Sequence, residues 1–531
     1  MSASAYAFGT SGYRSNTEAG FNESVVRQIT HAIADYLIEQ MHQNGLAKPV
    51  LIGGDTREKS QQFIPHIAQW LVEKGLDVYQ TQGEVPTPVL AYAAAFFEQY
   101  EQPHMACAGA ILMTASHNPW DYGGYNFLTP DGAVAPASMS AEFERLQQSP
   151  LNLTLNRKKL GLQEPASIRT FDPYSPYAAH LKENLDLDYE TIRESGVAIL
   201  YDPMYATGRR FFPRLLQEEG LAIDVLNDTD QRPAHYEGMP NPGQTALAEL
   251  SSQVQAMGRQ TELVLGLAND GDADRFGVMD EAGRYLSPND VLLLTLYHLV
   301  NHRRQKGAVV RSQATSHALD ALAARYRLPV IQTPVGYKYI AETFIEHQQA
   351  GKTPVLLGGE SSGGLSIQGH IPEKDGLLAN LLMVEMVAQA EKPLGKLLEK
   401  IKSEIGAHYR FEELSIKTEA GPTILSDFAQ YRQGNETAPT PLRVDLAKTQ
   451  KAAKTLENHY GTTDGVKLYL EGGHWLLVRA SGTEPLVRFY LEATGPSEEA
   501  AQDILAEHRQ TIVDLLATKY AVRPEAIAVK H

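Results

Sequence analysis

Between Asn269 and Arg275 the chain reads Asn-Asp-Gly-Asp-Ala-Asp-Arg, which sets three carboxylates, Asp270, Asp272 and Asp274, at alternate positions. Gly271 lets such a stretch curl so that the acids converge. Hard oxygen ligands of this kind suit Mg²⁺, which binds them at roughly 2.0–2.1 Å and keeps positions for water or a phosphate oxygen. A solvated acidic turn or a calcium loop would use the same residue types. The calcium loop fits poorly, because its sixth position counted from Asp270 calls for glycine and is here Arg275.

Three further loops carry chemistry-bearing residues. Thr114-Ala115-Ser116-His117-Asn118-Pro119 offers a hydroxyl among turn formers, with Ser116 and His117 as catalytic candidates. A serine leaving a strand can be a nucleophile or a phosphate carrier, or can close a turn on its own backbone. Gly358-Gly359-Glu360-Ser361-Ser362-Gly363-Gly364 supplies a carboxylate and hydroxyls on a flexible frame, suited to vicinal sugar hydroxyls and equally to a plain turn. Arg479-Ala480-Ser481-Gly482-Thr483-Glu484-Pro485, with Arg488 beyond, combines guanidinium, hydroxyl and freed backbone N–H groups, the makings of an anion nest or of a β-turn with a surface arginine.

Each of the first three loops follows a short apolar run: Ala110 to Met113, Leu263 to Leu267 and Val355 to Leu357. Such runs read as buried strands that deliver loops. With further runs near 49–57, 196–204 and 307–314 and amphipathic stretches between them, the pattern predicts α/β domains with mainly parallel sheets. From about Phe411 the character changes, and VKLYLEGGHWLLVRASGTEPLVRFYLEA predicts antiparallel strands around a glycine-containing turn. The expected domains are 1–170, 171–285, 286–410 and 411–531: three related mixed α/β (α/β/α sandwich) domains and a smaller C-terminal α+β domain. A helix is expected from Lys374 to Ala390.

At 531 residues the chain exceeds one compact core. It contains no apolar run of the roughly 18 residues a membrane span needs, and Met1 to Tyr13 lacks the pattern of a secretory signal. A cytoplasmic protein without a membrane partner is the expectation. The net charge of −17 argues against nucleic-acid binding, which rests on surplus Lys and Arg. Anionic ligands must then meet locally placed cations. The single cysteine, Cys107, excludes an internal disulfide and reads as a small core residue.

The four loops, in this order, resemble those of the α-D-phosphohexomutase superfamily, the phosphoglucomutases, phosphomannomutases and phosphoglucosamine mutases. The likeness opens at Phe8-Gly9-Thr10-Ser11-Gly12-Tyr13-Arg14, similar to the family's FGTxGxR, and spans nearly the whole chain. It implies four domains around a central cleft, a phosphorylated Ser116, and Mg²⁺ on Asp270, Asp272, Asp274 and Ser116. Arg14 and Arg275 would lie beside the transferring group. Glu360 and Ser362 would meet sugar hydroxyls, while Arg479, Ser481, Gly482, Thr483 and Arg488 would cradle phosphate. Thr333 to Lys338 resembles the family's TxxGxK, which adds Gly336 and Lys338 to the substrate contacts. Gly369 to Gly376 resembles the HxxEKDG stretch of glucose-type members, which puts His370 and Lys374 at the site.

One position departs. Where the family has a lysine after SHNP, in a GxK pattern, this chain has Gly124-Tyr125-Asn126. An amide cannot carry a proton, so His370 and Lys374 become the acid–base candidates. The implied activity is interconversion of glucose 1-phosphate and glucose 6-phosphate through bound glucose 1,6-bisphosphate, by a monomer or dimer whose partner is a small phosphosugar. Phosphomannomutase activity, a glucose 1,6-bisphosphate synthase and a non-catalytic phosphosugar-binding protein are the alternatives.

Overall fold

The computed structural model describes residues 6–9, 12–100, 106–229, 238–480 and 485–530. They gather into two compact units, one of residues up to 288 together with 362–395, the other of 289–361 together with 396 onward.

In the first unit, the strands β1 (Tyr13–Asn16), β2 (Val50–Gly54), β3 (Val78–Thr81), β4 (Gly109–Met113), β5 (Tyr122–Leu128) and β6 (Ile168–Phe171) form one sheet in the order β1-β5-β4-β2-β3-β6. β2 and β4 are buried along their whole length, as continuous apolar strands covered on both faces must be. The helix Glu23–Asn44 starts on Asn22, whose side chain accepts from the Val25 N–H, and stops at Gly45 in the left-handed region. Its buried residues Val26, Ile29, Ile33, Leu37 and Met41 recur at three- and four-residue spacing and join β2, β4 and the helix Glu58–Glu73 in one core. Cys107 is buried, as expected.

A second sheet holds β7 (Ala198–Asp202), β8 (Asp224–Val225), β9 (Val264–Asn269), β10 (Phe276–Met279) and β11 (Tyr285–Leu286) in the order β11-β10-β9-β7-β8. The central strands of both sheets run parallel, but β5 and β10 return antiparallel to β4 and β9. The loops 114–121 and 270–275 are too short for a crossover, so the strand after each functional loop can only turn back. Mainly parallel sheets are therefore mixed sheets, and the antiparallel step marks the functional loop in each.

In the second unit β12 (Ala308–Ser312), β13 (Val330–Thr333) and β14 (Val355–Glu360) pair in parallel in the order β13-β12-β14. β15 (Gly364–Ile367) belongs to segment 362–395 of the first unit. The C-terminal sheet of β16 (His408–Lys417), β17 (Val466–Tyr469), β18 (Trp475–Ala480), β19 (Leu486–Gly495) and β20 (Ile527–Lys530) is wholly antiparallel, in the order β17-β18-β19-β16-β20. The helices Gly421–Gln433 and Glu498–Tyr520 share its core through Phe428, Leu505 and Ile512.

The helix expected from Lys374 runs from Gly376 to Ala390, because Asp375 is its N-cap and accepts from the Leu378 N–H at 2.8 Å. That helix is buried all round and packs on β9 and β10. The Gly376 N–H donates to the Ala273 carbonyl at 3.1 Å, and Asn380 Nδ2 to that of Ala268 at 3.1 Å, so the helix start is seated on the aspartate loop.

Gly124 on β5 permits the serine loop to leave β4. A Cβ there would stand 1.9 Å from the Thr114 carbonyl oxygen and 3.0 Å from Ala115 Cα, where backbone must yield. Gly124→Ala is expected to destabilise the protein by about 2–4 kcal/mol, read as a lower denaturation midpoint at unchanged slope. An unaltered midpoint would show that the loop start has slack.

Candidate active site

Ser116 sits in the first loop at φ 51°, in the left-handed region, and is 1% exposed. Both peptide groups flanking its Cα are held. Its N–H donates to Thr114 Oγ1 at 2.8 Å, and its carbonyl accepts from Arg57 Nη2 at 2.7 Å. So oriented, the hydroxyl donates to Asp270 Oδ2 at 2.9 Å and lies 3.2 Å from His117 Nδ1. The two loops can meet because residue 271 is glycine, whose place for a Cβ is 2.3 Å from the Ser116 carbonyl oxygen.

Asp270, Asp272 and Asp274 are all buried, and one carboxylate oxygen of each lies within 4.8 Å of the others. Burial and the charges of Asp272 and Asp274 push Asp270 well above the ordinary carboxylate range. Burial and Asp274 push Asp272 up to about 6. Thr87 braces Asp272 twice, its Oγ1 donating to Oδ2 at 2.7 Å and its N–H to the backbone carbonyl at 2.8 Å. The Arg275 N–H donates to Asp270 Oδ1 at 3.0 Å. Asp272 Oδ1 and Asp274 Oδ1 are buried with no hydrogen-bond donor among the described residues. Clustered carboxylate oxygens without donors are what a hard cation would satisfy.

Cations ring the cluster. Lys374 Nζ is 2.9 Å from Asp274 Oδ2 and 2.9 Å from Glu373 Oε1. Burial alone would depress this ammonium, but Asp274 and Glu373 outweigh it and raise its pKa. Arg275 Nε stands 3.9 Å from Asp274 Oδ1. Arg14 donates to Asn118 Oδ1 at 3.0 Å, within the field of all three aspartates. Asn126, the departure from the family pattern, is buried and donates Nδ2 to the Thr114 carbonyl at 3.1 Å, tying β5 to the serine loop.

His370 is engaged elsewhere. Its buried imidazole contacts Asp375 Oδ2 at 2.8 Å through Nε2 and His180 Nε2 at 3.1 Å through Nδ1, and Tyr177 donates to the same Asp375 oxygen at 2.6 Å. Burial, with a smaller push from His370, lowers His180 to about 3. Ser362 is exposed, in the segment of the first unit that also carries Lys374.

In the second unit Glu360 is buried and Oε1 accepts the Gly336 N–H at 2.8 Å, which joins two of the expected substrate contacts. Gly336, at φ 124°, precedes the helix Tyr337–Gln349, and Lys338 lies over the Tyr339 ring. Arg479 and Arg488 stand directly opposite each other on β18 and β19. Such a like-charged cross-strand pair is unfavourable unless balanced. Asp464 balances Arg479 at 2.7 Å and Glu413 faces Arg488 at 3.4 Å. Ser481, Gly482 and Thr483 lie outside the described residues.

Four residues of this arrangement escaped the motif reading: Arg57, Thr87, Tyr177 and His180. Arg57 carried the readable signal, because Asp55-Thr56-Arg57 directly follows β2 at the carboxyl end of a parallel strand, where functional loops gather. Thr87 opens an apolar helix, and nothing local marks it.

Comparison with known proteins gives the family. Models of the phosphoglucomutase/phosphomannomutase family match in chain order: alpha/beta/alpha domain I at residues 5–150, domain II at 175–283, domain III at 287–404 and the C-terminal domain at 442–510. A phosphoglucomutase/phosphomannomutase of Thermococcus kodakarensis is 29% identical over 504 residues, covering 94% of this chain and 96% of its own. A phosphoglucosamine/phosphogalactosamine mutase of Sulfurisphaera tokodaii is 25% identical, covering 95% and 98%. The crystal structure of the phosphoglucomutase pp63/parafusin from Paramecium shares the fold with a TM-score of 0.79 at 20% identity, covering 99% of this chain and 97% of that one. With four domain models in sequence, three α/β and one C-terminal, this chain belongs to the phosphoglucomutase/phosphomannomutase family of mutases, isomerases that move a phosphate group within their substrate.

Proposed function

We propose that the chain interconverts glucose 1-phosphate and glucose 6-phosphate through a phosphorylated Ser116 and a bound glucose 1,6-bisphosphate. The observation that carries this reading is the Ser116 hydroxyl 2.9 Å from Asp270 Oδ2, at the edge of a carboxylate cluster in which Asp272 Oδ1 and Asp274 Oδ1 have no donor among the described residues. Asp270, Asp272, Asp274 and the phosphorylated Ser116 would hold Mg²⁺. Once bound, the ion supplies Lewis-acid neutralisation of the phosphate charge.

The residues of the chain then do the following. Ser116 gives its phosphate to the free hydroxyl of the sugar phosphate and takes back the other phosphate after the bisphosphate reorients. Arg14 and Arg275 neutralise charge on the transferring oxygens, the main demand of phosphoryl transfer beyond alignment. His117, against the serine oxygen, orients it. Lys374, held as an ammonium between Asp274 and Glu373, is the acid–base candidate at the cluster, whereas His370, whose two ring nitrogens are both engaged, holds Asp375 and so the start of the helix Gly376–Ala390. Glu360, Ser362, Gly336 and Lys338 contact the sugar. Arg479, Ser481, Gly482, Thr483 and Arg488 take the phosphate that is not reacting.

Glucose preference rests on Glu360-Ser361-Ser362 and on His370 to Gly376. Since relatives include enzymes named for mannose and amino sugars, the assay should offer all three phosphosugars. Asn126 supports a second reading, a glucose 1,6-bisphosphate synthase, because the residue bonds to backbone where the family pattern has lysine. Release of bisphosphate without net isomerisation would identify it.

Intact-mass measurement is expected to find one phosphate on the wild type and none on Ser116→Ala, with kcat lowered by roughly 10³-fold or more in a coupled glucose 1-phosphate assay. Full activity in a chain that never carries phosphate would sink the proposal. The carboxylate cluster gives a second test. Asp272 is raised above its unfolded pKa, so the protonated form favours folding and that contribution is lost as pH rises through about 6. Without divalent cations, Asp272→Asn should melt roughly 2–4 °C above wild type at pH 7.5, with the gap closing toward pH 5. Added Mg²⁺ should raise the melting temperature of the wild type and leave the variant unmoved. An equal response in both would remove Asp272 from the ligand set.

A further inference from the structure

We infer that Arg57 is a positioning residue for the reaction of Ser116, an inference that rests on the phosphoserine reading above. A guanidinium has five N–H donors in a fixed plane, and here all five are used, four of them on the segment from Ser116 to Tyr122. Nε donates to Asp55 Oδ2 at 3.1 Å, Nη1 to the carbonyls of Pro119 and Tyr122, and Nη2 to those of Ser116 and Asn118 at 2.7 and 2.6 Å. The side chain is 1% exposed and lies 5.2 Å from the Trp120 ring centroid. Four carbonyls converge on one buried charge.

The same charge reaches the other side of Ser116. Asp55, neutralised by Arg57, accepts from the hydroxyls of Thr114 at 2.7 Å and Ser60 at 2.6 Å. Thr114 Oγ1, thus oriented, takes the Ser116 N–H. One ion pair therefore fixes the peptide before Ser116 through Thr114 and the peptide after it directly. With both planes set, φ is set, at 51°, a conformation that costs about 1 kcal/mol for a residue with a side chain and persists only when its surroundings over-determine it. That φ aims Oγ at Asp270.

Arg57 touches neither the hydroxyl nor the aspartates, so its loss acts on the aim of the nucleophile and leaves substrate contacts intact. Misplacement by about 1 Å can cost about 10²-fold in rate. For Arg57→Met, kcat is expected to fall about 100-fold with KM for glucose 1-phosphate within about threefold of wild type. Arg57→Lys, which keeps the charge and loses the fork, should lie between. The uptake of phosphate from glucose 1,6-bisphosphate, followed by intact mass, should slow in the same order. If Arg57→Met fails to fold, Thr114→Val removes only the hydroxyl on the Ser116 N–H and should show the same loss of kcat at constant KM. Folded variants with wild-type kcat, or losses confined to KM, would overturn the assignment while an active, phosphorylated wild type keeps the mutase reading. A wild type without phosphate or mutase activity would remove both.

Discussion

Three buried carboxylates held within 4.8 Å of one another are the costly feature on which the first unit is organised. Like charges at such separations raise each other's pKa and oppose folding. Each neighbouring element offsets part of that repulsion. The segment after β15 brings the Lys374 ammonium to Asp274, the loop itself returns the Arg275 N–H to Asp270, and the start of the helix Thr87–Ala95 gives Asp272 a hydroxyl. What is left over, among the described residues, is a pair of buried acceptor oxygens without donors, one on Asp272 and one on Asp274. The site is thus a balance struck among groups drawn from positions 14 to 374.

The same balance explains the order of elements. In both sheets of the first unit the functional loop joins a buried central strand to an antiparallel neighbour, β4 to β5 and β9 to β10. A buried strand fixes where the loop begins, and the short return fixes where it ends. Glycines at 124 and 271 then let two loops from different sheets come within contact of one another. Rigidity at the ends and closeness in the middle are what in-line transfer demands.

Much of this was legible in the residues. The alternation of acids at 270, 272 and 274, the serine after β4 and the paired arginines at 479 and 488 are local patterns, and the strands that deliver them are continuous apolar runs. What local pattern could not supply was partnership across distance. Arg57 binds residues 59 to 65 positions away, Thr87 bonds to an aspartate 185 positions on, and His180 meets a histidine 190 positions on. The helix expected at Lys374 begins at Gly376 for a local reason: Asp375 caps it, leaving Lys374 outside the helical ladder with its side chain turned to two carboxylates. Mainly parallel sheets were expected from the alternation of apolar runs with amphipathic stretches, and the antiparallel strands β5 and β10 are those that follow a short loop with no helix between.

Segment 362–395 belongs to the first unit although the residues on either side of it, 289–361 and 396 onward, belong to the second. Domains that emerge from the ribosome fold in turn, the N-terminal ones first. Here the first unit cannot complete itself in that order, since Asp274 is made about a hundred residues before the Lys374 that neutralises it. During synthesis the acidic loop already has Thr87 and the Arg275 N–H within the finished chain, but Asp274 must wait for residue 374 before the ammonium that faces it exists.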